Sequence, residues 1–290
     1  MNKFQKYLST CLLATTALLG GVATASAAAP AMGTASAFAV LGGTNVTCTS
    51  GVVTGDIGVS PGGAVPYTNT GCTVTGATPP ATDAAAVQAR ADFLSAYAAT
   101  QAMSCSQMLT GTLSGENLAP GVYCVSAEAK TGLLTLTGGV NDVWVFLVNG
   151  ALTGTNFSVV MAGGAQPCNV YWAPSAATTM TTSSLKGYIL AGDAIGGSIT
   201  LTGGTLAGSA LANIAVTMTD ASVIGCDTLS GSPSSCKNKD KNDENDKCNQ
   251  GVGNGSEGCD PGNSNHGNPF SSNDEYGGTP GNPGRKGGSK

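Results

Sequence analysis

The stretch ITLTGGTL (199–206) states a pattern that the chain repeats on several passes. Beneath it, LTLTGGV (134–140), ALTGTNF (151–157), TTMTTSSL (178–185) and VTMTDASV (216–223) align so that Thr137, Thr153, Thr181, Thr202 and Thr219 share one column. Thr135, Thr179, Thr200 and Thr217 fall two residues earlier, and the residue just before each second-column threonine is Leu or Met. Period-two alternation marks a strand with one buried face, so Leu136, Leu152, Met180, Leu201 and Met218 are expected inside and the threonines outside. Three residues after the second column comes another small polar group, Asn156, Ser184, Thr205 or Ser222.

Successive second-column threonines are 16, 28, 21 and 17 residues apart. A repeat of that length, with short strands broken by Gly, predicts a β-solenoid in which each coil buries its inner side chains against its neighbours. Strands stacked about 4.8 Å apart, with alternate residues about 6.7 Å apart along each, give an outer face that is a flat grid of hydroxyls and methyls.

Around this core the chain has three parts. Lys3 and Lys6, an apolar run from Leu8 to Val22 and the small residues Ala25 and Ala27 form a secretory leader over residues 1–27, with a second cleavage point after Ala29. The apolar run is too short to span a membrane. Cys11 is not read as a lipoprotein cysteine, since no hydrophobic region precedes it. The leader directs the chain out of the cell, or to a periplasm. Residues 28–226 form the solenoid domain, and residues 227–290, made of Asn, Gly, Ser, Pro, Asp and Lys, hold too little apolar material to fold alone. Tail stretches such as NDENDK (242–247) lack calcium-loop order and read as solvated charge.

Within the domain, FAVLGGTNVTCTSGVVTGDIGVSPGGAV (38–65) repeats the grammar of the later coils and is expected to add strands to the same solenoid. Thr82-Asp83 caps a helix running to about Met103, with Val87, Ala91, Leu94 and Ala98 as its apolar stripe and Phe93 and Tyr97 beside it. Twenty residues of helix measure about 30 Å, enough to lie along about six coils. VWVFLVNG (143–150), CNVYWAPSA (168–176), GYILAGDAI (187–195) and ALANIAV (210–216) are more hydrophobic than the threonine segments and suit a face that this helix covers.

Charge and cysteine content narrow the chemistry. The formal net charge of −5 becomes −7 once Lys3 and Lys6 are removed, leaving nothing basic to hold a nucleic acid or an anionic membrane. The domain carries eight acidic and three basic residues, far below the quarter that is ordinary. Its six cysteines, in an exported chain, are read as disulfides. Of 15 pairings, Cys48 with Cys72, Cys105 with Cys124 and Cys168 with Cys226 are chosen for proximity in the proposed coils alone. No CxxC occurs and the one His lies in the tail, so no metal and no cofactor are expected.

Several long blocks resemble the bacterial and fungal ice-binding (antifreeze) proteins of the DUF3494 type. They are FAVLGGTNVT (38–47), TGDIGVSPG (54–62), AAVQARADFLSAY (85–97), LAPGVY (118–123), VWVFLVNGALTG (143–154), GAQPCNVYW (164–172), LKGYILA (185–191) and GSALANIAVTM (208–218), in that order over about residues 37–226. The resemblance implies a right-handed, three-sided β-solenoid whose coils are not in sequence order, with one long helix packed alongside. It also implies secretion and adsorption to an ice crystal surface. The family's T-A/G-x-T/N motif is matched by TGTN (153–156), TGGT (202–205) and TGAT (75–78), whereas TTSS (181–184) and TDAS (219–222) depart from it.

An ice-contacting face needs no catalytic group. It needs a rigid array that holds water in place, and threonine brings a hydroxyl, a methyl and a restricted χ1. Threonine is also a common exposed strand residue in any solenoid. Solenoid enzymes that cleave polysaccharides use paired carboxylates. The candidates Asp56, Asp142, Asp193 and Asp220 read as turn formers, and neither a body histidine nor a serine elbow accompanies them. The expectation is an exported, monomeric, non-enzymatic ice binder that inhibits ice growth and recrystallisation. The alternative is a cell-surface or matrix adhesion or spacer module on the same fold.

Overall fold

The computed structural model describes residues 27–61, 67–78 and 84–229. The expected leader up to Ser26, the Thr82-Asp83 cap and the tail beyond Leu229 lie outside them. The chain winds as a three-sided parallel β-solenoid with a helix on one side. One coil shows the plan: Tyr188–Ala191 on the first face, Ile199–Thr202 on the second and Thr205–Ala207 on the third. The next coil repeats it with Ala210–Ala212, Ala215–Thr219 and Ser222–Ile224.

The coils do not stack in chain order. Across the first face the strands run Asp56–Val59, Phe38–Gly42, Ala210–Ala212, Tyr188–Ala191, Val170–Pro174, Trp144–Asn149, Gly121–Ser126 and Gln107–Leu109. The N-terminal strands therefore pack beside the last coil, with Val40 opposite Ala210.

Both sides of the middle of the first face are buried, which is why its strands there are continuous apolar runs. Trp144–Asn149 and Val170–Pro174 are buried at almost every position. Inward residues stack into an aromatic column at one end, where the Phe146 ring lies 5.6 Å from Tyr123 and 4.0 Å from Trp172, both nearly parallel. The indole N–H groups of Trp144 and Trp172 donate to the carbonyls of Leu118 (3.1 Å) and Lys186 (3.0 Å). Leu136, Leu152, Met180, Leu201 and Met218 are all buried in this core, as the alternation requires.

Outside the first face lies the helix Ala84–Gln101. At 18 residues it is about 27 Å long, enough to cross six strands. Its buried stripe is Ala86, Ala89, Phe93, Ala96 and Thr100. The expected stripe was one step round: Val87 is 53% exposed, Ala91 and Ala98 are exposed and Leu94 is half-buried. The sheet supplies the bulk here, through Val145, Leu147, Tyr171, Tyr188, Leu190 and Leu211, so the helix meets it with its small side. Polar ties fix the helix at several points. Asp92 accepts from the backbone N–H and hydroxyl of Thr34, both at 2.7 Å, Tyr97 donates to the Pro174 carbonyl at 3.1 Å, and Arg90 donates to Asn213.

Three disulfides join Cys48 to Cys72, Cys105 to Cys124 and Cys168 to Cys226. The first stitches the edge coil to its neighbour. The second ties the segment after the helix to Gly121–Ser126. The third links the turn Pro167–Asn169 to the short helix Cys226–Leu229.

Candidate functional site

The second face is built from Tyr67–Thr70, Asn45–Thr49, Ala215–Thr219, Ile199–Thr202, Thr178–Thr181 and the first half of Leu152–Ala162, side by side in that order. Alternation sends Val46, Cys48, Val216, Met218, Ile199, Leu201, Thr178, Met180 and Leu152 inward. What remains outside is two unbroken columns of threonine. In the first, Thr68, Thr47, Thr217, Thr200, Thr179 and Thr153 stand opposite one another in turn. In the second, the order is Thr70, Thr49, Thr219, Thr202, Thr181 and Thr155.

Twelve threonines thus form a grid spaced about 4.8 Å across strands and 6.7 Å along them. The six segments contain no charged residue. Among the described residues, no hydrogen bond joins one of these twelve hydroxyls to another, and Thr47 accepts from Asn45 Nδ2 at 3.4 Å. Parallel packing and the β-branch hold the side chains, while their hydroxyls are left to solvent.

The structure moves several expected positions. Thr153 lies in the first column, not the second, and its place is taken by Thr155. The register is set by a left-handed corner residue after each second-column threonine: Asn156 (φ 51°) is the counterpart of Thr182 (45°), Gly203 (64°) and Asp220 (51°). Asn156 is therefore a corner residue, and Ser158 holds the place expected for it, opposite Ser184. Ser184, Thr205 and Ser222 do align with one another, but beyond the corner on the third face. Thr135 and Thr137 also belong to that face, opposite Val160 and Ala162. From Gly132 onward their strand, Lys130–Thr137, pairs with the second half of Leu152–Ala162, which has already turned the corner. TGTN and TGGT consequently sit two residues out of step, and Thr75 of TGAT continues the strand Thr73–Val74 on the third face.

Five threonines of the grid were not anticipated: Thr47, Thr49, Thr68, Thr70 and Thr155. Four of them lie in TCT (47–49) and TNT (68–70), which keep the Thr-x-Thr spacing with Cys or Asn in the middle. Thr-x-Thr alone, without the demand for Leu or Met between, marks both segments.

The four aspartates weighed as catalytic groups lie apart from one another, Asp56 at the start of a strand and the others on turns or corners. Asp56 accepts from Ala77 N at 2.7 Å, and Asp142 from Gly139 N at 2.7 Å. Asp193 accepts from Gly196 N and Ile195 N, which hold its carboxyl below the usual carboxylate range. Asp220 occupies a corner of the grid. Among the described residues no group of three or more His, Cys, Asp or Glu is placed to hold a metal, and no helix is long and apolar enough to cross a membrane.

Fold and face together define a discontinuous parallel β-solenoid that presents an extended, uncharged hydroxyl-and-methyl plane. A family model described as Ice-binding-like matches residues 40–224, and the chain belongs to that family. An ice-binding protein of Nostoc sp. (strain HG1) is 40% identical over 204 residues, covering 64% of this chain and 71% of the relative. Ice-binding protein K3-B1 of Typhula ishikariensis is 32% identical over 216 residues, covering 65% of this chain and 88% of its own length. The crystal structure of an ice binding protein from an Antarctic biological consortium superposes with a TM-score of 0.57 at 32% identity, over 69% of this chain and 93% of that one.

Proposed function

We propose that this chain adsorbs to ice through the threonine grid of the second face, and so slows crystal growth and recrystallisation. The observation that carries the reading is the register: twelve threonines in two columns of six, with no charge between them. A surface whose groups are held in place before contact loses little freedom on binding, and each threonine pairs a methyl with a hydroxyl on a restricted χ1. Family membership and relatives named as ice-binding supply the partner. The protein acts as an exported monomer without catalysis, residues 28–226 forming the binding domain behind a leader, with residues 227–290 as an extension. Disulfides suit that compartment.

The test is thermal hysteresis and recrystallisation inhibition on the oxidised chain, beside a Thr200→Tyr, Thr217→Tyr double variant. Activity in the parent and its loss in the folded variant support both function and face. Equal activity in both moves the site to another face. Inactivity of a folded, β-rich parent sinks the ice reading and leaves a surface or matrix module on the same fold.

A further inference from the structure

The helix Ala84–Gln101 carries its polar ties on two flanks. On one, Asp92 is held by Thr34, in the segment that precedes the solenoid strands. Arg90, Tyr97 and Gln101, seven and then four residues apart, share the other. Each of these three reaches a coil at or just before the corner through which it enters the threonine face. Arg90 donates to Asn213 Oδ1, just past Ala210–Ala212. The Tyr97 ring lies over Gly192, just past Tyr188–Ala191, where a Cβ would stand 2.2 Å from it. Its hydroxyl donates to the Pro174 carbonyl and Gln101 Nε2 to the Ala173 carbonyl, both at 3.1 Å, at the end of Val170–Pro174.

These three coils are neighbours, and they continue into Ala215–Thr219, Ile199–Thr202 and Thr178–Thr181, three adjacent strands of the grid. Distances along the two bodies agree. The seven residues of helix from Arg90 to Tyr97 rise about 10.5 Å, and the two coil spacings from Asn213 to Pro174 amount to about 9.6 Å. Asn213 also ties one corner to the next, its Nδ2 donating to the carbonyls of Gly192 at 3.2 Å and Asp193 at 3.3 Å. Neighbouring strands left to themselves twist, and a flat sheet of many strands is held flat by something specific. A straight rod fastened to successive coils resists that rotation.

We infer that the flank of Arg90, Tyr97 and Gln101 is a splint for the threonine grid, fixing the coils where they enter the face and so keeping its two columns straight. The three are positioning residues, placed on the first face and away from the surface that meets ice. This rests on the ice-binding reading above. The helix then has a part in adsorption besides covering the first face.

The experiment compares the parent with two variants. Arg90→Met, Tyr97→Phe, Gln101→Met keeps side chains of similar bulk and the ring over Gly192, but removes the three donors. Asp92→Ala loosens the opposite flank and leaves the coil corners untouched. Adsorption to ice per folded molecule, well below the melting temperature, and hydrogen exchange over residues 178–181, 199–202 and 215–219 are measured on all three, with Tyr97→Phe alone as the variant that decides if the triple one does not fold. The expected result is a several-fold fall in adsorption with faster exchange at those strands in the triple variant, the same direction in Tyr97→Phe, and neither change in Asp92→Ala. Unchanged adsorption or unchanged exchange in the flank variants overturns the inference. Equal losses in Asp92→Ala also overturn it, because the helix is then only a general support. A parent that fails to adsorb sinks the ice reading instead, and exchange alone then decides whether this flank holds the strands.

Discussion

Thr202 stands directly opposite Thr219, and the same register sets Leu201 beside Met218 beneath them. Outer plane and inner packing are therefore one object: a strand cannot slip without turning its threonines inward. A bulky group at the middle of the grid should do more damage than one at its end. Thr217→Tyr is expected to cut ice adsorption about tenfold, in line with ~1–2 kcal/mol at the centre of a contact surface. Thr68→Tyr, on the edge strand, is expected to cost much less. Equal losses at the two positions, measured by thermal hysteresis on folded protein, would count against an extended grid.

Cys48 points into the core from the middle of a grid strand, and its bond to Cys72 holds the edge strand carrying Thr68 and Thr70. Replacing both cysteines by alanine should fray that edge first. Hydrogen exchange should show faster exchange over residues 67–74 before any change at 199–219. Loss of the Cys168–Cys226 bond, which spans 58 residues away from the grid, should instead lower global stability by about 2–4 kcal/mol, with adsorption at low temperature kept.

Tyr171 and Tyr188 stack beneath the helix with ring centroids 5.3 Å apart. Burial disfavours the phenolate, so Tyr171 is pushed up to about 12 and Tyr188 is raised for the same reason, with Tyr171 and Asp227 adding to it. The folded state keeps protons that the unfolded chain gives up near pH 10. Their stabilising contribution is whole below about pH 10 and is lost as pH rises toward about 12, at ~1.4 kcal/mol per unit for each ring. Chemical denaturation from pH 8 to 11.5 should show this decline, and a Tyr171→Phe, Tyr188→Phe variant should flatten it. An unchanged slope in the double variant would show that other groups govern alkaline unfolding.

Lys130 is fully buried at the end of the solenoid that also holds the aromatic column, where its ammonium donates to the carbonyls of Gly111 at 2.8 Å and Ser126 at 2.9 Å. Burial lowers its pKa, with Glu128 opposing that shift. Lys130→Met keeps the stem but strands both carbonyls, at an expected cost of about 1–3 kcal/mol. The melting temperature should fall while the threonine grid, built from other strands, keeps its activity. A variant as stable as the parent would mean that solvent or a local shift satisfies the carbonyls.

Strand identity, the buried Leu and Met positions and the covered face were legible because alternation and continuous apolar runs are local signals. The Thr153 to Thr155 shift was not. It depends on a corner that Asn, Thr, Gly, Asp and Ser all occupy, so no single residue type marks it. The helix stripe was misread for a different reason: Ala86, Ala89 and Ala96 are buried because the opposing sheet is bulky, whereas sequence favours the larger Val87 and Leu94. The stacking of residues 45–49 against 215–219 has no local trace, since it joins segments about 170 residues apart.

That stacking governs the order in which the molecule can come into being. Coils formed from residues 121 to 207 can assemble as neighbours in the chain, but the strands that emerge first must wait for nearly the last. Pairings of such sequence separation close late and slowly. Removing residues 208–226 would therefore not shorten the threonine array from one end. It would cut it through the middle, leaving the strands at Asn45–Thr49 and Tyr67–Thr70 with nothing to join.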